Sequence, residues 1–201
     1  MAQPKRQLDP GITRSTLLEG MRLRDEAAWQ RVVELYGPLI YSWCRRSNCS
    51  KSDAQDLVQE VFWAVAQHID RLRRESGDSF RAWLRTITRN KIIDQHRRQQ
   101  GILPAAGGTA ANQQIHAVAE SLDDSNADAE KRDKAELLSR ALQMVKTDFE
   151  ESTWQAFWLS TVEGDATASI AAKLDMKPNA VRQARYRVVR RLRDEFGDLL
   201  D

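Results

Sequence analysis

The chain has 201 residues, 41% hydrophobic and 30% charged, enough to bury one large core or two small ones while staying soluble. Its net charge of +2 excludes a general polycation, so any affinity for nucleic acid must come from local clustering of basic residues. Two cysteines, Cys44 and Cys49, are too few for a disulfide scaffold or a four-ligand zinc site; no N-terminal apolar run reads as a signal peptide, and no stretch is long enough to span a bilayer. The expectation is a cytoplasmic protein with reduced thiols and no membrane partner.

Residues 1–14, with Pro4, Pro10 and Gly11 and no periodicity, read as a flexible tail. From Ser15 to about Gln100 the pattern is helical, and no run alternates as a strand would. A first helix carries Leu17, Leu18 and Met21. A second starts near Asp25 with Trp29, Val32, Val33 and Tyr36 on its apolar side, and Gly37-Pro38 should kink or interrupt it. Ser52-x-x-Gln55 looks like a capping box opening a third helix that runs to about Asp70. Ser76-Gly77-Asp78-Ser79 signals a turn and cap before a fourth helix over 80–98. Residues 101–127, rich in Gly, Ala, Asn, Gln and Ser with one Pro, have little to bury and read as a linker. Helical patterning returns over 128–201, with Leu137, Leu138, Leu142 and Val145 in one stripe and Trp154, Phe157, Trp158 and Leu159 in the next helix's core. The fold class is all-α: two small helical domains, 15–100 and 128–201, joined by a flexible linker.

Three segments carry functional signals. In the third helix, Ala54, Leu57, Val58, Val61 and Val65 fill one apolar face, leaving Asp56, Gln59, Glu60, Trp63 and Gln67 on the other. A tryptophan among polar residues is either an interface anchor or packed on a neighbouring helix; an acidic surface repels DNA and so favours a protein partner. In the fourth helix, Phe80, Trp83, Leu84 and Ile87 point inward, Arg81, Arg85 and Arg89 recur once per turn, and Thr86, Asn90, Asp94 and Arg98 form a second polar row. Such a helix suits either solvent or exposed bases and phosphates. At the C-terminal end, the small apolar segment 165–176, a break at Lys177-Pro178 and a stretch with Arg182, Arg185, Arg187, Arg190, Arg191 and Arg193 and no acid make a helix-turn-helix whose second helix would enter the major groove. Its turn, Asp175-Met176-Lys177, lacks the usual glycine.

Together, Asp56-Leu-Val-Gln-Glu-Val-Phe62, the string from Phe80 to Asp94 and the basic helix-turn-helix resemble bacterial sigma-70 family sigma factors, most closely the small extracytoplasmic function (ECF) group that keeps only regions two and four. The resemblance covers about 15–98 and 128–196. It implies a region 2 helical bundle and a region 4 helix-turn-helix, with RNA polymerase core (the β′ clamp helices and the β subunit), promoter DNA and an anti-sigma factor as partners. It implies docking on the clamp helices through Asp56, Gln59, Glu60 and Trp63. It also implies capture of the minus-ten element by Arg85, Thr86, Arg89, Asn90, Asp94, Arg97 and Arg98, with Asn90 at a flipped-base pocket. Reading of the minus-thirty-five element falls to Pro178, Asn179, Arg182, Gln183, Tyr186 and Arg187, while Arg190, Arg191 and Arg193 touch phosphate or solvent. The charged loop 71–79 is slightly longer than usual for the family, so minus-ten preference does not carry over.

A stand-alone helix-turn-helix regulator is the alternative, but a sensor domain should supply a ligand pocket or dimer seam rather than a paired acidic face and basic helix. An enzyme is not expected: His68, His96 and His116 are scattered, with no metal spacing, phosphate loop or nucleophile motif, so no cofactor, metal or small-molecule substrate is assigned.

Overall fold

The computed structural model describes residues 17–72, 79–99, 127–197 and 199. Among these the chain is helical: α1 (Leu17–Arg22), α2 (Glu26–Arg46), α3 (Lys51–His68), a 3-10 turn (Ile69–Arg71), α4 (Phe80–Gln99), α5 (Ala127–Lys146), α6 (Glu151–Thr161), α7 (Thr167–Lys173) and α8 (Pro178–Phe196). The expected tail, residues 101–126 of the expected linker and 73–78 of the charged loop lie outside the described residues.

Side-chain caps set several helix starts. Asp25 accepts from the Ala27 amide at 2.9 Å to open α2, and Ser79 accepts from the Ala82 amide at 3.1 Å to open α4. The cap of α3 lies two residues before the expected box: the Ser50 hydroxyl accepts from the Asp53 amide at 3.1 Å and donates to the Asp53 carboxylate at 2.6 Å. Pro38 does not end α2, which runs unbroken through it. Two things offset the lost hydrogen bond. Gly37 has no Cβ to meet the proline ring, and Leu35, Tyr36, Leu39 and Ile40, all fully buried, anchor the helix on both sides of it.

That buried stripe of α2, continued by Val32 and Trp43, is the spine of the molecule. Against it pack Ala54, Leu57, Val61 and Val65 of α3 and Phe80, Leu84 and Ile92 of α4. Val33, expected on the apolar side, is 42% exposed instead. Sequence patterning is silent on whether the two helical groups touch. They do: Leu137, Ala141 and Val145 of α5, Trp154 and Phe157 of α6 and Val188 and Phe196 of α8 belong to the same continuous apolar cluster as α2. A separate small cluster, including Ala156, Leu159, Ile170, Val181 and Ala184, holds the helix-turn-helix together.

Polar groups close the seam between the groups. The Trp43 indole N–H donates to one oxygen of Asp133 at 2.8 Å and Arg46 donates to the other at 3.0 Å. Arg81 pairs with Glu130 at 2.6 Å, Arg31 with Glu195, and the Tyr36 hydroxyl donates to the Leu199 carbonyl. Asp133 is 2% exposed, and the two donors satisfy both of its buried oxygens.

Candidate nucleic-acid interface and docking face

The outward face of α3 presents Asp56, Gln59 and Trp63 to solvent, with Trp63 66% exposed and so not packed on a neighbour. Glu60 differs. It is half-buried and bridges to α4, with Lys91 at 3.2 Å and Arg98 at 3.3 Å. The Arg98 guanidinium, aided by Lys91, holds its carboxyl below the usual range. Two turns earlier on α3, Asp53 accepts from Gln95 and Gln99 at 3.0 and 3.1 Å. The Ser50 hydroxyl, then these amides, keep that carboxyl low too. The acidic face and the basic helix are therefore neighbours, and Glu60 of the docking set is already joined to Arg98 of the DNA set.

On α4 the row Thr86, Asn90, Asp94, Arg97 and Arg98 is exposed. Thr86 spends its hydroxyl proton on the Ala82 carbonyl at 3.1 Å, leaving its lone pairs outward. Asp94 and Arg97 lie within 3.9 Å of each other. The other basic row does not face solvent. Arg81 is 6% exposed and carries the Glu130 contact; Arg85 and Arg89 are half-buried, and the Arg85 guanidinium lies over the Trp43 ring at 6.0 Å. The row sits at the seam because helical spacing puts it beside the apolar face that packs on α2.

In the helix-turn-helix, α7 ends on Leu174, and Asp175 takes the left-handed conformation at φ 51°. Aspartate tolerates that region better than most side chains, which is why the turn manages without glycine. The Met176 amide then closes back on the Ala171 carbonyl at 2.9 Å. Pro178 opens α8, whose first turn has no acid and no side-chain cap, its Ala180 amide donating to the Lys177 carbonyl at 2.8 Å. Pro178, Asn179, Arg182, Gln183, Tyr186 and Arg187 are all exposed, Tyr186 by 59%. Arg187 is braced by a contact to the Thr153 hydroxyl at 3.3 Å. Arg190 pairs with Asp194 at 3.5 Å. Arg191, expected at phosphate or solvent, is instead structural: it pairs with Asp148 at 3.0 Å and with Glu195. Burial pushes the Glu195 carboxyl up against the opposing pull of Arg191 and Arg31.

One feature escapes sequence reasoning. Leu138 and Trp158, expected inside, are 47% and 37% exposed. With Leu142, Trp154, Val162 and Leu174 they line an open apolar groove of about 840 Å³. Helical periodicity places both at core-like spacing and cannot tell a packed face from an open groove. Cys44 and Cys49 are buried free thiols, and burial pushes Cys44 up to about 12, far from a reactive thiolate. Among the described residues no cluster of His, Cys, Asp and Glu could hold a metal, and no helix is long and apolar enough to cross a membrane.

The sequence model of the Sigma-70 region 2 family matches residues 32–102, from α2 through the end of α4. The chain is similar to the ECF RNA polymerase sigma factor SigF of Caulobacter vibrioides, 36% identical over 90 residues, covering 42% of this chain and 49% of the relative. It is similar to SigE of Mycolicibacterium smegmatis, also named an ECF RNA polymerase sigma factor, 27% identical over 178 residues, covering 85% of this chain and 63% of the relative. The chain thus spans about half to two thirds of the length of these relatives. A solved structure, the RsbN–BldN complex, aligns with 87% of this chain and 96% of its own at 20% identity, with a TM-score of 0.35. The α2–α4 segment thus matches a Sigma-70 region 2 domain, and the chain is similar to ECF RNA polymerase sigma factors.

Proposed function

We propose that the protein is a promoter-specificity subunit that binds bacterial RNA polymerase core in the cytoplasm and directs it to promoters, supplying recognition rather than catalysis. The observation that carries this reading is the pairing of α3 and α4 within the matched region. An exposed tryptophan beside Asp56 and Gln59 makes an acidic docking face, and a row of Thr86, Asn90, Asp94, Arg97 and Arg98 lies on the adjoining helix. The acidic face suits a basic protein surface, here the β′ clamp helices, with Trp63 as the apolar anchor. The row on α4 suits unstacked bases of the minus-ten strand. Asn90 offers both a donor and acceptors to a flipped base, and Arg97 and Arg98 offer charge to phosphate. The exposed stripe of α8 suits the duplex minus-thirty-five element, with Arg182 and Gln183 able to read base edges and Tyr186 flanking them. The β subunit and an anti-sigma factor are further partners of this reading.

Reach is consistent with two-point reading. Elements centred near positions ten and thirty-five lie about 85 Å apart along B-form DNA, at about 3.4 Å per base pair. Residues 101–127 number 27, a contour of about 90 Å when extended. The test is transcription by purified core with and without the protein on genomic DNA. Discrete new transcripts sharing upstream motifs, abolished by Asp56→Arg with Trp63→Ala, are expected; no transcripts and no co-elution with core would overturn the reading.

A further inference from the structure

The arginines of α8 meet three kinds of surroundings. Arg190 and Arg191 are paired with acids, Asp194 at 3.5 Å and Asp148 at 3.0 Å. Arg182, Arg185 and Arg193 line the solvent-facing stripe with Tyr186. Arg187 is held by an uncharged group: its Nη2 donates to the hydroxyl of Thr153, 34 positions earlier on α6, at 3.3 Å. Thr153 is buried on the inward side of α6 with Trp154, Ala156 and Phe157, while Arg187 itself reaches solvent. Valine has nearly the same shape, so packing alone does not account for a hydroxyl at this buried place; the bond to Arg187 does. The kind of partner matters. A carboxylate would neutralise Arg187 and compete with phosphate, as Asp148 does at Arg191. A hydroxyl accepts one N–H, leaves the charge intact and leaves the rest of the guanidinium fork outward.

We propose that Thr153 is a positioning residue for duplex DNA: from the first turn of α6 it holds the Arg187 guanidinium at the exposed face of α8, oriented and still charged. This deepens the reading of α8 as the duplex-reading helix and rests on it. A long side chain on an open helix surface samples many rotamers, and ordering it on binding weakens affinity. The Thr153 bond does part of that ordering in the free chain. It also fixes the plane of the guanidinium, so the remaining fork meets a phosphate or a base edge from one direction. One turn further along α8, Arg191 is pinned to Asp148 just before α6, so the start of α6 grips α8 at two successive turns and sets its rotation. The second grip ends in a closed ion pair; the first ends in a cation that faces out.

The experiment measures affinity of the full chain for a fluorescent random-sequence DNA duplex at low salt. The variants are Thr153→Val, Thr153→Ser, Arg187→Ala, Arg185→Ala, and Thr153→Val combined with each arginine change. Thr153→Val should weaken binding about three-fold, and Thr153→Ser should restore it. Arg187→Ala should weaken it further and lower the salt slope by about one unit. Adding Thr153→Val to Arg187→Ala should change nothing more, whereas adding it to Arg185→Ala should again lose about three-fold. A merely structural role gives the same loss in both arginine backgrounds. That result, a serine variant no better than valine, or a valine variant that binds like the unaltered chain overturns the proposal. Should Thr153→Val fail to fold, Thr153→Ala takes its place in the same cycle. No duplex binding by the unaltered chain overturns the reading of α8 and the proposal with it. Co-elution with core is measured on the same proteins: its absence throughout overturns the promoter-subunit reading and leaves the duplex cycle to stand or fall by itself.

Discussion

α4 and α8 are near equals in composition, each with five or six arginines and an amphipathic pattern, yet the fold treats them differently. On α8, Arg182, Arg185 and Arg193 have no acidic partner among the described residues, and the stripe they share with Tyr186 faces solvent. On α4, Arg81 is locked to Glu130, and Lys91 and Arg98 are held by Glu60. The difference lies in the neighbours. The stripe of α8 with Arg182, Arg185 and Arg193 faces away from its packed neighbours, whereas α4 is flanked by acids of α3 on one side and of α5 on the other. Basic content alone does not define a nucleic-acid face; the acids folded against it decide how much is available.

The comparison breaks most strongly if the two halves are uncoupled. Leu137→Ala removes a fully buried side chain where α5 meets the shared cluster and should cost about 2–5 kcal/mol, read by denaturant unfolding. The loss should appear in a single transition. Two transitions, with the α2–α4 part unaffected, would mean that nothing holds α5 over α4.

On α8, Arg182→Ala should weaken binding to the cognate duplex by about 1–3 kcal/mol, roughly a five- to 150-fold loss, if it reads a base. Arg193→Ala should cost less and equally on every sequence, lowering the salt slope by about one unit. Competition binding on cognate and scrambled duplexes separates them, and equal losses on both sequences for Arg182 would make it a phosphate contact.

The pH response should be smaller. Glu130 and Glu60 are held below the ordinary 4.5 by Arg81 and Arg98 respectively. Their folded values lie under the unfolded ones, so their contribution is complete above about pH 4.5 and fades as pH falls through the lower folded values. Glu195 runs the other way: burial raises it, so its contribution is complete below 4.5 and fades as pH rises through the raised value. Compaction followed by scattering should therefore loosen in acid as Glu130 is protonated, with Glu195 opposing that trend. Loosening already between pH 7 and 5 would mean that the seam depends on other groups.

Much of this was legible in the chain. Local signals found the eight described helices and the basic stripe on α8, because each follows from spacing within a few residues, while spacing left open whether Trp63 is exposed or packed. Pro38 does not interrupt α2, because tertiary anchoring by Tyr36 and Leu39 carries the helix through it. The α3 box misled because Ser50 and Ser52 are both good caps and only one can be used. The seam left no local trace at all. Asp133 looks like any charged residue on a helix, and its partner Trp43 is 90 positions away. Arg81 reads as one more cation until Glu130 is placed on it.

Arginine footprinting with a dicarbonyl reagent, read residue by residue by mass spectrometry, tests the contrast between the two helices most directly. In the free chain Arg182, Arg185 and Arg193 should modify fast and Arg81, locked to Glu130, slowly. Arg81 reacting as fast as Arg182 in the free chain would contradict the account.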